Sequence, residues 1–157
     1  MIDLEIDKEL NEKDFLDLLW KYFTLHAQQR TQMLHFFILV ESFLITGLIT
    51  LFKTTGELLL FRFIISFAIT FFAFIFYNLD IRTKKIIKYS ENGIKIIENK
   101  YESFYGKNIM IFSTETDLTE KEKKKFFKPL SYSRLFKMIF VFYALIGLLS
   151  CVLSLIL

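Results

Sequence analysis

Cysteine, proline and histidine are scarce in this 157-residue chain, with one, one and two copies respectively. A lone Cys151 excludes any internal disulfide and any Cys-rich metal cluster, and it reads as a plain core thiol. With His26 and His35 as the only histidines and no clustered carboxylates, no transition-metal site is expected. Enzyme signatures are missing as well: there is no phosphate-binding glycine loop, no GxSxG and no plausible nucleophile, base and orienter set. The chain is therefore expected not to be an enzyme and to need no cofactor. No internal repeat or low-complexity tract is visible. No cleavable signal peptide is expected either, because the first apolar run follows an acidic stretch of about 30 residues and is too long for an h-region.

What the chain has in abundance is apolar surface. Apolar residues make up 54% of it, 20 of them Phe, and the mean hydropathy is positive. A soluble domain of this size cannot bury that much. Three stretches, Met33 to Phe52, Leu58 to Tyr77 and Met138 to Leu157, are each long enough to cross a bilayer. At about 1.5 Å per residue each spans roughly 30 Å. The segment between Asp80 and Lys137 carries 14 Lys or Arg against 8 Asp or Glu, whereas Lys53 to Glu57 carries one of each sign. The positive-inside rule then predicts the long loop and the N-terminus in the cytoplasm, the short hairpin outside and the C-terminus at the outer face.

Two segments extend the spans as helices. From Asn11, which with Asp14 can cap the start, Phe15, Leu18, Leu19, Tyr22, His26, Gln29 and Met33 fall on one helical stripe. After the second span, Ile86, Ser90, Gly93, Ile94, Ile97, Tyr101 and Phe104 form a stripe opposite Lys84, Lys88, Glu91, Lys95, Glu98 and Glu102. Ile109 to Phe112 fits a short strand or a buried loop. Thr119 and Glu122 form a capping box for a short basic helix that Pro129 stops. The expected architecture is all-α and oligomeric, with three transmembrane helices and cytoplasmic helical extensions of the first two. Its segments are a cytoplasmic arm (1–32), spans at 33–52, 58–77 and 138–157, an external hairpin (53–57) and a cytoplasmic stalk with a basic loop (78–137).

Polar residues inside the spans are costly unless they face protein or water, so they mark candidate sites. Arg62, Ser66, Thr70, Ala73, Tyr77 and Asp80 lie within about 80° on the second span. One polar face suits either an oligomeric pore or tight helix packing with Arg62 reaching outward. Glu41 lies roughly 12 Å in from the cytoplasmic end of the first span and Arg62 near the outer end of the second, so separate roles are expected. Glu41, Arg62, Ser66, Thr70 and Tyr77 are the pore or gate candidates, the alternative for Glu41 being a neutral carboxyl hydrogen-bonded to a neighbouring helix. Ser42, Thr46 and Thr50 make a hydroxyl stripe on the first span. Ala144, Gly147, Ser150, Cys151 and Ser154 make a small-residue face on the third, which permits close approach within or between subunits. Below the membrane, depth counting brings Arg30 level with Asp80, predicting an ion pair that locks the hairpin, with His26 nearby as a core residue. Arg82, Lys84, Lys85, Lys88 and Lys95 are the candidate anion-binding residues, with Tyr89 or Tyr105 available to stack a base. The cluster Lys121, Lys123, Lys124, Lys125 and Lys128, flanked by Phe126 and Phe127, suits anionic lipid better.

Arg30 to His35 has the R-x4-H spacing of the HEPN ribonucleases, but it falls where a span begins, a poor place for RNA. The runs Tyr22-Phe-Thr-Leu-His-Ala-Gln-Gln-Arg30 and Leu79-Asp-Ile-Arg-Thr-Lys-Lys-Ile-Ile-Lys88 resemble small membrane effectors of bacterial antiphage defence loci, most of all the channel-forming effector of the Hailong system. The resemblance covers about half the chain and rests on family hints rather than on catalytic signatures. It implies a homo-oligomeric channel of the bacterial inner membrane, a tetramer, held closed by a DNA oligomer that a partner nucleotidyltransferase makes, and depolarising the membrane when released. The alternative is a non-conducting membrane adaptor that recruits or restrains a cytoplasmic defence enzyme.

Overall fold

A computed structural model describes residues 12–54, 58–106, 110–115 and 131–156. The described residues are helical with no strand: α1 (Glu12–Lys53), α2 (Leu59–Lys100), a single turn α3 (Glu102–Tyr105) and α4 (Tyr132–Ile156), with residues 111–115 also helical. Of the run expected as a short strand or buried loop, Met110 is buried outside any helix, Ile111 and Phe112 lie in a helix, and Ile109 lies outside the described residues. The basic cluster from Lys121 to Lys128, the Thr119 capping box, Pro129, the tip of the 53–57 hairpin and the side chain of Tyr105 lie outside the described residues. Three helices, α1, α2 and α4, are long and apolar enough to cross a membrane.

The chain divides into two compact units. Residues Gln28–Lys84 with Pro129–Leu157 form a three-helix unit. Its core is Leu34 and Phe37 from α1, Ala73 and Phe76 from α2, and Phe136 and Phe140 from α4. Phe37 is the hub, with ring centroids 5.3 Å from Phe76, 4.8 Å from Phe140 and 5.3 Å from Tyr143. The tilted and edge-on geometries suit the ring quadrupoles. Higher in the unit, size decides the packing. A Cβ on Gly147 would collide with Thr70 Oγ1 and stand 2.8 Å from Thr70 N and 2.9 Å from Ser66 O, so the α2 and α4 backbones touch where no side chain intervenes. Gly147 and Ser154 are buried and Ala144, Ser150 and Cys151 half-buried, so the small-residue face is used within the chain. Leu60, Phe67, Phe74, Phe142, Leu149 and Leu155 point outward, an inverted polarity that suits lipid.

Met1–Ala27 and Lys85–Lys128 form the second, two-helix unit. Ser90, Ile94 and Met110 are buried there. Leu19 lies over Gly93, where an added Cβ would meet Leu19 Cδ1 at 2.9 Å. Phe112 packs edge-on to Trp20 and Phe23, with centroids 6.1 and 5.2 Å away. The expected α2 stripe is buried or half-buried from Ile86 to Ile97, but α2 ends at Lys100 and leaves Tyr101 exposed. Gly106 closes α3 with φ +75°, a conformation that favours glycine, and its N–H donates to Glu102 O at 2.9 Å. On α1 the outcome is mixed: Leu19, His26 and Met33 are half-buried, whereas Phe15, Leu18, Tyr22 and Gln29 are exposed. The inward positions at this end are instead Leu16, Leu19, Phe23 and Ala27, turned by about a quarter of the helix.

Candidate functional site

The buried face of α1 within the three-helix unit reads Leu34, Phe37, Glu41 and Leu48. Glu41 occupies a position that the helix period otherwise fills with an apolar residue. It is fully enclosed, 0% exposed, and neither carboxylate oxygen has a hydrogen-bond partner among the described residues. Ser66 on α2 repeats the pattern, fully buried with an unpartnered hydroxyl. Its carbonyl is engaged, because Thr70 Oγ1 donates to it at 3.3 Å. Enclosing a polar group without a partner costs free energy, and enclosing a carboxyl costs most. Among the described residues these are the two side chains with fully buried polar atoms and no hydrogen-bond partner.

Arg62 does something different. Its Nε donates to Leu51 O at 3.2 Å and its Nη2 to Thr54 O at 3.2 Å, while the guanidinium stands 5.2 Å from the Phe52 ring centroid. The carbonyls ending a helix have no partner within it, and Arg62 satisfies them at the α1 terminus. Tyr77 is half-buried with its ring 6.4 Å from Phe140. The polar face of α2 is accordingly turned into the three-helix unit of its own chain at Ser66, Thr70, Tyr77 and Asp80.

Arg30 and Asp80 meet. Arg30 Nε donates to Asp80 Oδ1 at 2.6 Å and Nη2 to Oδ2 at 3.1 Å, the two-pronged geometry that a guanidinium makes with a carboxylate. The same guanidinium lies 4.7 Å from the Phe136 ring centroid, so all three helices share it. His26 is half-buried in the two-helix unit, its ring 5.5 Å from Tyr22.

Of the candidate anion-binding residues, Arg82, Lys84, Lys85 and Lys88 are exposed on α2. Lys95 is half-buried and bound to Glu91 one turn earlier. Two features went unread in the sequence. The Glu98 carboxylate, expected on a solvated face, accepts from Phe112 N at 3.1 Å, Ser113 N at 3.0 Å and Ser113 Oγ at 2.9 Å, so it caps the helical residues 111–115. The outer face of α1 carries an open groove of about 440 Å³ lined by His35, Ile38, Leu39, Ser42, Phe43 and Thr46. The hydroxyl stripe runs along it, and Ser42, Thr46 and Thr50 each donate to the carbonyl four residues earlier, at 2.7, 2.8 and 3.0 Å. Among the described residues no His, Cys, Asp and Glu cluster is placed to hold a metal ion.

Fold and site together define an all-helical protein whose three long helices can cross a membrane, with a carboxyl enclosed between them. The chain is similar to CD-NTase-associated protein 19 of Escherichia coli, 34% identical over 83 residues, which covers 53% of this chain and 55% of that protein. It thus spans about half the length of the curated relative it matches. No protein-family model matches the chain, and no solved structure does.

Proposed function

We propose that this protein is a ligand-gated, homo-oligomeric ion channel or pore of a bacterial inner membrane, a toxic effector of antiphage defence that depolarises the cell when released. The observation that carries the reading is Glu41, enclosed at membrane depth with both oxygens unpartnered. Ionisable residues within spans are expensive and mark ion paths or switches by default. A rearrangement that gives Glu41 water or a partner recovers that cost, which is what a two-state gate requires. Ser66, Thr70 and Tyr77 pack on the same side of α2 and repack in that step, with Arg62 holding the end of α1. Three helices enclose no water path, so conduction needs several copies, a tetramer by resemblance.

The similarity to a CD-NTase-associated protein supports a nucleotidyltransferase as partner and an antiphage role. A DNA oligomer made by that partner is the restraining ligand, held on Arg82, Lys84, Lys85 and Lys88, with Lys95 contributing once Glu91 releases it. The charge bias of the segment between Asp80 and Lys137 supports a cytoplasmic position for these residues and the N-terminus. Ion flux from proteoliposomes, with and without short DNA oligonucleotides, tests the reading. Expected are flux that the oligonucleotide suppresses and a Glu41→Gln variant with altered flux. Verified insertion without flux under any condition replaces the channel with the non-conducting adaptor.

A further inference from the structure

The three-helix unit carries an unbalanced set of cations at the end where α4 begins. Its acids are Glu41, Glu57 and Asp80, and none falls between Pro129 and Leu157. Glu41 is enclosed, Asp80 is spent on Arg30, and Glu57 lies outside the described residues, between the far ends of α1 and α2. Near the Arg30 and Asp80 pair stand four further cations, Arg82 and Lys84 of α2 and Arg134 and Lys137 of α4, all exposed. No hydrogen bond or ion pair engages their side chains among the described residues.

Register brings three of the four together. Arg30 touches both Asp80 and Phe136, and Tyr77 touches Phe140, so α2 and α4 run antiparallel with Lys84 level with Ser133 and Arg134. Thr70 and Tyr77 face α4, and Lys84 continues that line at the same spacing of seven residues. Lys137 stands seven residues before Ala144, which packs on the aromatic core, and Arg134 is its neighbour one turn back. Arg82 falls half a turn round α2 from the buried Ala73 and takes no part. Two apolar lines run from the cations into the spans, Ile81 to Phe74 on α2 and Arg134 to Val141 on α4, each at a spacing of seven, and all three apolar side chains are exposed.

We infer that this α2 to α4 seam binds an anionic phospholipid, its phosphate held by Lys84, Arg134 and Lys137 and an acyl chain laid against Phe74, Ile81 and Val141. The inference goes beyond the channel reading and needs only that the helices cross a membrane. Depth favours a lipid over a soluble anion. Lys137 adjoins the apolar run that begins at Met138, Arg134 is one turn outside it, and Lys84 is two turns beyond Tyr77. The three therefore stand at the headgroup layer, roughly 5–8 Å thick, which Lys84 reaches along its stem. A soluble anion gains the charge there but not the apolar wall beside it. Arginine takes a phosphate with parallel donors and lysines add point charges. Three like charges in one seam repel until an anion neutralises them, so the lipid also fastens α4 to α2 at this end.

Native mass spectrometry of the full chain in detergent tests the seam, with phosphatidylglycerol and phosphatidylcholine as probes. Phosphatidylglycerol is expected to be retained over phosphatidylcholine. An Arg134→Ala, Lys137→Ala double variant is expected to bind phosphatidylglycerol about thirtyfold more weakly, with phosphatidylcholine unchanged. Arg134→Lys with Lys137→Arg keeps the charge and is expected to keep the lipid, which separates a lost site from a packing defect. Lys53→Ala removes an exposed cation at the other end of α1 and is expected to change nothing. Lys84 stays in every variant, because the proposed oligonucleotide surface also uses it. Equal loss from Lys53→Ala, equal retention of the two lipids, or full retention by the double alanine variant overturns the proposal. So does displacement of the lipid by inorganic phosphate or a short DNA oligonucleotide at equal concentration, which would assign the cations to a soluble anion. Lipid retention without flux sinks the channel and leaves the seam, whereas flux without lipid preference sinks the seam and leaves the channel.

Discussion

The two compact units of this chain share two helices yet differ in the polar groups they bury. The three-helix unit encloses Glu41, Ser66, Asp80 and Ser154 beside its aromatic core and turns large apolar groups such as Phe67 and Phe142 outward. The two-helix unit buries Ile94 and Met110 with Ser90 as the one buried polar residue described there, and keeps Lys85 and Lys88 exposed alongside Trp20, Tyr89 and Ile96. The difference teaches that the solvent, not the helix, sets which side chains go in. In lipid, apolar contact between helices gains little over apolar contact with acyl chains, so association falls to close backbone approach and polar partners. In water, a few buried apolar groups suffice.

The sharpest way to break the three-helix unit is therefore to strike its polar contacts. Asp80→Ala leaves Arg30 enclosed without its carboxylate, and the loss of one member of such a pair is expected to cost about 3–5 kcal/mol. Thermal unfolding in detergent, followed by circular dichroism, reads it as a large fall in Tm. Arg30→Asp combined with Asp80→Arg should recover part of that fall if the pair itself matters. Gly147→Leu is next. With backbone atoms 2.8 and 2.9 Å from a bare Cβ there, the α2 and α4 backbones must separate, at about 3 kcal/mol. A smaller effect of the opposite sign is expected from Glu41→Met, which replaces an unpartnered carboxyl by an apolar chain of like length. It should gain about 2 kcal/mol of stability while removing oligonucleotide-sensitive flux. A Glu41→Met variant that is less stable than the parent overturns the picture of Glu41 as a stored cost.

Much of this was legible in residue order. The spans follow from length and hydropathy, the Arg30 and Asp80 contact from counting depth along two antiparallel helices, and a close backbone approach at α4 from the small-residue face of Ala144, Gly147, Ser150, Cys151 and Ser154, though not that α2 is the helix it meets. What the sequence hid has a common cause. A periodic stripe shows that a face is apolar but not whether its own chain covers it, and α1 has two such faces. The expected stripe from Phe15 to Met33 straddled both. The contacts of Arg62 were hidden for a different reason: its partners are the carbonyls of Leu51 and Thr54, and every residue has a carbonyl. The polar face of α2 was visible, but whether it packs inward or lines an axis depends on where α4 lies, which no local pattern states.

Glu98 gives the finest test of the comparison, because it probes the two-helix unit alone. Its carboxylate accepts two backbone N–H groups and a hydroxyl at the start of the helical residues 111–115, which carry Phe112 against Trp20 and Phe23. Glu98→Gln keeps the shape but offers a single neutral acceptor oxygen in place of two charged ones. The expected cost is about 1 kcal/mol. Trp20 is the only tryptophan, so its emission reports this unit directly. A red shift in Trp20 emission, together with faster amide exchange at Phe112 and Ser113, is expected, while the Tm of the three-helix unit stays within a degree of the parent. Unchanged exchange at those two amides would mean that the aromatic cluster, and not the Glu98 cap, holds residues 111–115 in place. A matching fall in the three-helix Tm would mean that the two polarities belong to one cooperative structure.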